Sequence, residues 1–564
     1  LRYYPFFVLI YLPNKGEKNG LIEEYMVQRF GTITALCLIV NFSHAAASGN
    51  TISITVNGDS VITTLSDHFF GHNYWMWTPT WGNSMPGTES LMSDAKVSFL
   101  RMGGTNVDLG YPDPVNTAAL TGFSSYCKTI NADPLLQLQL AKYSTTADRV
   151  SNAAAMVNSF KSLTALTYIS IGNEPDIYPE NLSVNAAYNA AYLSAYSLTD
   201  YCNDFNAVAA EIKKNSPTVK LIGPELSWKR DAWIPGFVSA CKNNIDMVSV
   251  HYYPFTAAQC VYGTVRDQVT AMTSFYTTTR ALIDRNAGGK AIPLIVGETN
   301  VSWDGTPATS NLSASPGTFN AGLWMADFIG VSTAQKNLFS IMPWSIREGW
   351  TLAFLDANKK PYPVYYMYKM FANLAKKYMI HNQTVNSYVR VYGYKDDQNN
   401  VSLFTVNWDT ASSYKTTIKF SNILGDSSYA CVIPPQSLSC ITFSSNFKNK
   451  NMVSYSKKNE SQGPVTNIKS MPLNGSQKKS PLEIAFNEKK SVIAITSDKT
   501  LPGIIVSIVN LAGKELLKIT AENIMKGTTV IPFNPSIAPG GYILKVSLRS
   551  SEPTELSRQV LNIF

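Results

Sequence analysis

Eight short apolar runs recur between residues 67 and 345, and each is followed by a longer stretch of helical composition. That alternation predicts an α/β fold, a (β/α)8 TIM barrel, because continuous apolar runs suit parallel strands buried on both faces. Flanking segments of period-2 alternation predict an adjoining β-sandwich and a small C-terminal all-β domain.

The barrel runs are DHFFGHNYW (67–75), VSFLRMGG (97–104), PLLQLQLA (134–141), TYISIGNEP (167–175), KLIGPEL (220–226), IDMVSVHYYP (245–254), PLIVGETN (293–300) and LFSIMPWS (338–345). Stretches such as 146–163 and 186–215 have the length and Ala content of helices. The alternative is an open doubly wound sheet. It lacks its usual phosphate signature: there is no GxGxxG, and in NAGGKA (286–291) Lys290 precedes Ala291 rather than Ser or Thr. Ahead of the barrel, TISITVNG and VITTLS (51–66) read as a hairpin. After it, SYVRVYGYK, VSLFTVNWD, KTTIKFS and SLSCITFS read as antiparallel strands. The expected division is 48–66 and 381–445 in a β-sandwich, 67–380 in the barrel, 446–480 as a Lys/Asn/Ser-rich linker and 481–564 as a second, small β-sandwich.

The N-terminus carries a targeting pattern. Residues 26–47 place Arg29 before an apolar run, Phe30 to Val40, and end in small residues. This is the pattern of a secretory signal peptide, with cleavage expected near Ala45 to Ala47. Met26 is the expected start, which makes 1–25 upstream sequence and 1–47 absent from the mature protein. No later run is long enough to span a membrane. Export permits disulfides among Cys127, Cys202, Cys241, Cys260, Cys431 and Cys440, and CVIPPQSLSC could bridge a hairpin. Histidines are scattered and no CxxC occurs, so neither a metal nor any other cofactor is expected.

The formal charge of +8 is unevenly placed. Residues 46–445 carry 27 basic and 28 acidic groups, whereas 446–480 carry seven Lys and one Glu. A neutral body with a basic tether gives no footprint for nucleic acid.

Barrel sites lie at the C-terminal ends of the strands. The fourth strand ends in Asn173-Glu174-Pro175 and the seventh in Gly297-Glu298-Thr299. Two opposed carboxyls are what glycosidic hydrolysis needs, one to protonate the leaving oxygen and one to attack the anomeric carbon. These motifs resemble those of clan A glycoside hydrolases. The resemblance implies Glu174 as acid/base, Glu298 as nucleophile, Asn173 on the sugar 2-hydroxyl, and a retaining double displacement. FLRMGGTNVD (99–108), SVHYYP (249–254), GETNVSWDG (297–305), TFNAGLWMADFIG (318–330) and DANKKPYPVYYMYKMF (356–371) are similar to segments of the heparanase and β-glucuronidase group, family 79. That group's loop after the nucleophile is Gly-rich and binds a uronate carboxylate. Here Gly305 stands among Trp303, Asp304 and Thr306, so a neutral-sugar endo-β-glycanase acting on glucan, xylan or galactan stays open beside a glucuronidase. A non-catalytic polysaccharide-binding surface protein is the rival class.

Supporting roles fall to other strand ends. Arg101 would keep Glu298 ionised. His251 and Tyr253 stand within reach of both glutamates. The resemblance implies Trp344 as a platform under a sugar ring, and Trp75, Trp77 and Trp81 crowd the first strand–helix loop as walls of further subsites. Tyr252, Trp303 and Trp350 are weaker candidates for substrate binding, and Glu225 reads as a substrate or loop contact.

The tail, through IVNLAGKELLK (508–518), PGGYILKV (539–546) and SRQVLNIF (557–564), resembles the C-terminal sorting domain of the type IX secretion system. The resemblance implies that machinery as a partner and a secreted or cell-surface location. A carbohydrate-binding sandwich is the alternative, but no Trp follows Trp408.

Overall fold

The computed structural model describes residues 50–75, 85–111, 113, 117–182, 188–305, 312–348 and 351–466, together with seven strands between 482 and 563. The signal-peptide pattern lies outside them, as do Trp77, Trp81 and Trp350, and the side chain of Trp75.

Eight parallel strands form the barrel: β2 (Gly71–Trp75), β3 (Phe99–Gly103), β4 (Asp133–Leu138), β5 (Tyr168–Ile171), β6 (Lys220–Leu226), β7 (Met247–Tyr252), β8 (Leu294–Thr299) and β9 (Leu338–Pro343). They pair in sequence order, and a bridge between Phe70 and Ile341 brings the last strand round to the first. Eight helices follow in turn: α1 (Glu89–Asp94), α2 (Thr117–Ile130), α3 (Thr146–Lys161), α4 (Leu198–Asn215), α5 (Trp233–Cys241), α6 (Val269–Asn286), α7 (Phe319–Thr333) and α8 (Pro363–Leu374). The barrel expected from the eight runs is thus the observed one. Its interior is plugged by Phe99, Leu135, Ile222, Met247, Ile295 and Met342, one apolar side chain from each of six strands. The polar site sits above that plug. Local sequence sets the helix starts: Thr145 caps α3 by accepting from Asp148 N, and Ser197 with Asp200 forms a capping box on α4.

The second layer is a nine-stranded sheet built on β1 (Asn50–Thr64), β10 (Tyr378–Thr384), β11 (Val389–Lys395), β12 (Val401–Asn407), β13 (Tyr414–Ser421), β14 (Ser428–Ile433), β15 (Ser437–Phe443), β16 (Lys450–Ser456) and β17 (Val465–Thr466). Alternation along β12 shows how it works. Val401 and Leu403 enter a core with Ile54, Ile418 and Ile441, while Phe404 and Val406 face the barrel helices. Helix α7 lies between barrel and sheet, so all of its residues are buried. Its Asp327 is the polar tie between the layers, paired with Arg390 at 3.1 Å and accepting from Trp408 Nε1 at 2.7 Å and Tyr392 at 2.9 Å.

Three expectations are corrected. The N-terminal hairpin is one strand. Asn57-Gly58 reads as a turn, but β1 bulges between Asn57 and Val61 and continues along β10, while its outer edge runs parallel to β13. The linker does not begin at 446. Residues 450–456 form β16, whose Met452 and Val453 enter opposite cores, because polar neighbours hide a buried alternation. Cys431 and Cys440 are free thiols. They lie on β14 and β15, which have five other strands between them in the sheet, so the hairpin bridge does not form. Residues 467–481 lie outside the described residues. Beyond them, seven strands make sheets of three, β18 (Leu482–Asn487), β19 (Val492–Ser497) and β22 (Gly527–Pro532), and four, β20 (Ile504–Asn510), β21 (Glu515–Ala521), β23 (Gly540–Leu548) and β24 (Glu555–Ile563).

Candidate active site

Arg101 organises the site. It rises from β3, fully buried, because Gly103 leaves room: a Cβ there would stand 2.6 Å from the guanidinium carbon. Nη1 donates to Glu298 Oε1 at 2.8 Å and Asn73 Oδ1 at 2.9 Å. Nη2 donates to Gln137 Oε1 and Asn173 Oδ1, both at 2.7 Å. One planar fork therefore orients residues from β2, β4, the β5 end and β8.

The Asn173-Glu174 turn is tied down separately. Buried Asp108 accepts from the backbone amides of Leu140 at 2.7 Å and Asn173 at 3.2 Å, and from the Tyr178 hydroxyl. Burial pushes the Asp108 carboxyl up to about 6 against those hydrogen bonds. Glu174 adopts a left-handed backbone, φ 51°, and donates its amide to Glu225 O at 2.8 Å. Such a backbone is strained for a non-glycine residue and persists when its surroundings hold it.

Glu298 is almost fully buried. Its Oε2 accepts from the Tyr253 hydroxyl at 2.9 Å. Burial raises its carboxyl, opposed by His251 and Arg101 and reinforced by Glu174. His251 stands between the glutamates, with Nδ1 2.9 Å from Glu174 Oε1 and 3.6 Å from Glu298 Oε2. Burial works against a charged ring, but Glu298 and the hydrogen bonds with Glu174 and Glu225 push it up to about 10. One donor atom each from Glu174, His251 and Glu298 lies within 4.8 Å of the others. That spacing could admit a cation, but Arg101 already neutralises Glu298 and both ring nitrogens already face carboxyls.

The structure thus brings together Glu174, Glu298, Asn173, Arg101, His251 and Tyr253. Trp344 stands beside them over Gly104, where a Cβ would meet its ring at 2.5 Å, and it packs with Leu352 and Tyr253. Its Nε1 donates to Glu348 Oε2 at 2.9 Å. Trp303 is 60% exposed. Two expectations fail. Tyr252 is a core residue, stacked on Trp228 and Phe328, because it points outward from β7 into the helix layer. Glu225 is fully buried beneath the site rather than exposed to substrate. Sequence reading missed Asn73, Gln137, Asp108 and Glu348. The signal for the first two was a polar residue inside a run otherwise apolar enough for a doubly buried strand.

No family model and no curated protein matches the chain. Solved structures do. The α-L-arabinofuranosidase of Thermotoga maritima superposes with a TM-score of 0.53 at 13% identity, over 74% of this chain and 97% of that one. CelM2, a bifunctional glucanase-xylanase from a metagenome library, gives 0.53 at 12% identity over 70% and 100%. A family 44 xyloglucanase of Paenibacillus polymyxa gives 0.52 at 12% over 70% and 100%. At such identities the likeness is one of fold, the barrel with its β-sheet layer.

Proposed function

We propose that the chain is a retaining glycoside hydrolase acting on a β-linked polysaccharide or oligosaccharide. The observation that carries this is the pair of glutamates at the ends of β5 and β8, with oxygens within 4.8 Å of one another. Such closeness suits a nucleophile and an acid/base, because inversion needs room for a water between the carboxyls. Glu298 is the nucleophile: Arg101 and Tyr253 hold both of its oxygens. Glu174, the less buried of the two, is the acid/base. Asn173, its Oδ1 held by Arg101, presents its amide to the sugar 2-hydroxyl. Trp344 is the platform, and exposed Trp303 supports a polymeric substrate. The structural neighbours, an arabinofuranosidase, a glucanase-xylanase and a xyloglucanase, agree with this class.

Neutral sugars are favoured over uronates. Among the described residues around the pair, the cations Arg101 and His251 are already matched by Glu225 and Glu298, and Glu348 adds another acid. The family 79 reading, with its glucuronidase or heparanase activity, rests on the sequence segments alone. Export by the signal peptide and type IX machinery to the surface or medium likewise rests on sequence resemblance.

Glu174→Gln and Glu298→Gln should each lower turnover by about 10²–10⁴-fold or more on a polysaccharide panel that includes glucuronides, with the fold intact. Undiminished hydrolysis in either variant would refute the assignment. Proton NMR of the first-formed product checks retention at the anomeric carbon.

A further inference from the structure

Glu225 lies under the catalytic pair and is out of reach of a sugar. Its Oε2 accepts from the Ser249 hydroxyl at 2.6 Å and faces His251 Nε2 at 3.2 Å. Its Oε1 is 3.5 Å from Arg101 Nε. Gly297, the residue before the nucleophile, makes the space: a Cβ there would stand 2.3 Å from Glu225 Oε2 and 2.5 Å from Ser249 Oγ. Burying an ion costs several kcal/mol unless it is well paired, so a third carboxylate at this depth is an expensive way to fill a barrel.

We propose that Glu225 is a positioning residue that holds His251 as a doubly protonated imidazolium between the two catalytic glutamates. This rests on Glu174 and Glu298 being acid/base and nucleophile. Nε2 faces a carboxylate anchored by Arg101 and Ser249, so Nε2 carries hydrogen. Among the described residues, Nδ1 faces the oxygens of Glu174 and Glu298. A ring with acids at both nitrogens is best satisfied as a donor at both. The groups around it are Glu174 from the β5 end, Glu225 from β6 and Glu298 from β8, with Arg101 behind the last two and the Tyr253 hydroxyl on Glu298. With Glu174 protonated, Arg101 and His251 balance Glu225 and Glu298, and the buried cluster is neutral. The geometry also sorts the oxygens of Glu174. Nδ1–H donates to Oε1, which leaves Oε2 to carry the proton bound for the leaving oxygen. Once that proton has gone, the new carboxylate is met by a cation already in place. The ring gains and loses no proton in the cycle.

The sign of a pH shift tests this. Glu225→Gln keeps the size and removes the charge. If Glu225 sustains the imidazolium, the ring becomes neutral in the variant and both catalytic carboxyls lose their nearest shared cation. Both limbs of the kcat/KM profile then move to higher pH, by about one unit, which is about tenfold in rate on the old acid limb. If the ring keeps its charge regardless, the variant only removes a negative charge, and both limbs move to lower pH. A downward shift, or none, overturns the proposal. His251→Gln should give the same upward shift, and the double variant no more, since the two act as one unit. Nitrogen-15 shifts of His251 in the unaltered protein need neither a variant that folds nor a substrate. Both nitrogens should stay protonated from about pH 5 to 8, and titration near the ordinary value of about 6.5 sinks the proposal. A charged ring in a chain that hydrolyses no glycoside would instead refute the catalytic reading and leave the Glu225–His251 pairing standing.

Discussion

Glu348 holds the Trp344 indole with one carboxyl oxygen, while the other, Oε1, is buried with no hydrogen-bond partner among the described residues. Burial pushes this carboxyl up to about 7, against its hydrogen bonds from Trp344 and Ser345 and with help from the charge of Glu298. The folded value stands above the ordinary 4.5, so the neutral form stabilises the fold. That contribution is complete below about pH 4.5 and is lost as pH rises through about 7. Glu348→Gln, which never ionises, should therefore gain on the parent between pH 5 and 8 by on the order of 2–3 kcal/mol. Urea unfolding at the two pH values measures it, and an equal difference at both would show that Glu348 is not held neutral. At this scale sequence reading pointed to the residues proposed to touch the substrate, since strand-end position and chemistry singled them out together. It missed the residues that hold them, because Gln137, Asn73 and Asp108 gain meaning only from the atoms they face.

The strand-end motifs act as units. In Gly297-Glu298-Thr299 the glycine exists for a carboxylate two strands away, and the β7–β8 register slips between Val250 and His251, so that His251 pairs with Glu298. The slip sets the imidazole against the Glu298 carboxyl. Gly297→Ala would drive a Cβ into Glu225 and Ser249, neither of which can yield while Arg101 and His251 hold the carboxylate. Overpacking of this kind costs about 1–3 kcal/mol, and activity should fall with it because the His251 support moves. Thermal unfolding with an assay checks both, and a variant of normal stability and rate would show that the cluster is free to shift. Element identity was legible where burial is two-sided, since a doubly buried strand needs a continuous apolar run. It was misread where local and tertiary preferences diverge. Asn57-Gly58 has the chemistry of a tight turn, yet the pairing available on β10 and β13 carries the chain straight on. Segment 450–456 has the polarity of a linker, yet two cores accept its alternate side chains.

In the whole molecule the barrel holds the glutamate pair and the nine-stranded sheet braces it through α7. The net charge of +8 has no counterpart in the site, because its excess lies mostly at 446–480, part of which is folded onto the sheet. The all-β tail, 481–564, is assigned to sorting on its sequence alone. Deleting it should leave the protein in the periplasm of a type IX-competent host with its hydrolytic activity intact. Fractionation and assay of the truncated chain decide this, and normal export would end the sorting assignment. The sequence by itself determined the barrel, the β layers and the two glutamates, because buried-strand composition and strand-end placement are local properties written in order along the chain. Only the tertiary structure decided that Glu225 is an internal counter-ion, that His251 touches three carboxyls and that Tyr252 is core. Those facts depend on distances between strands more than twenty residues apart, and a carboxylate becomes an acid, a nucleophile or a support according to which charges the fold sets within a few ångströms of it.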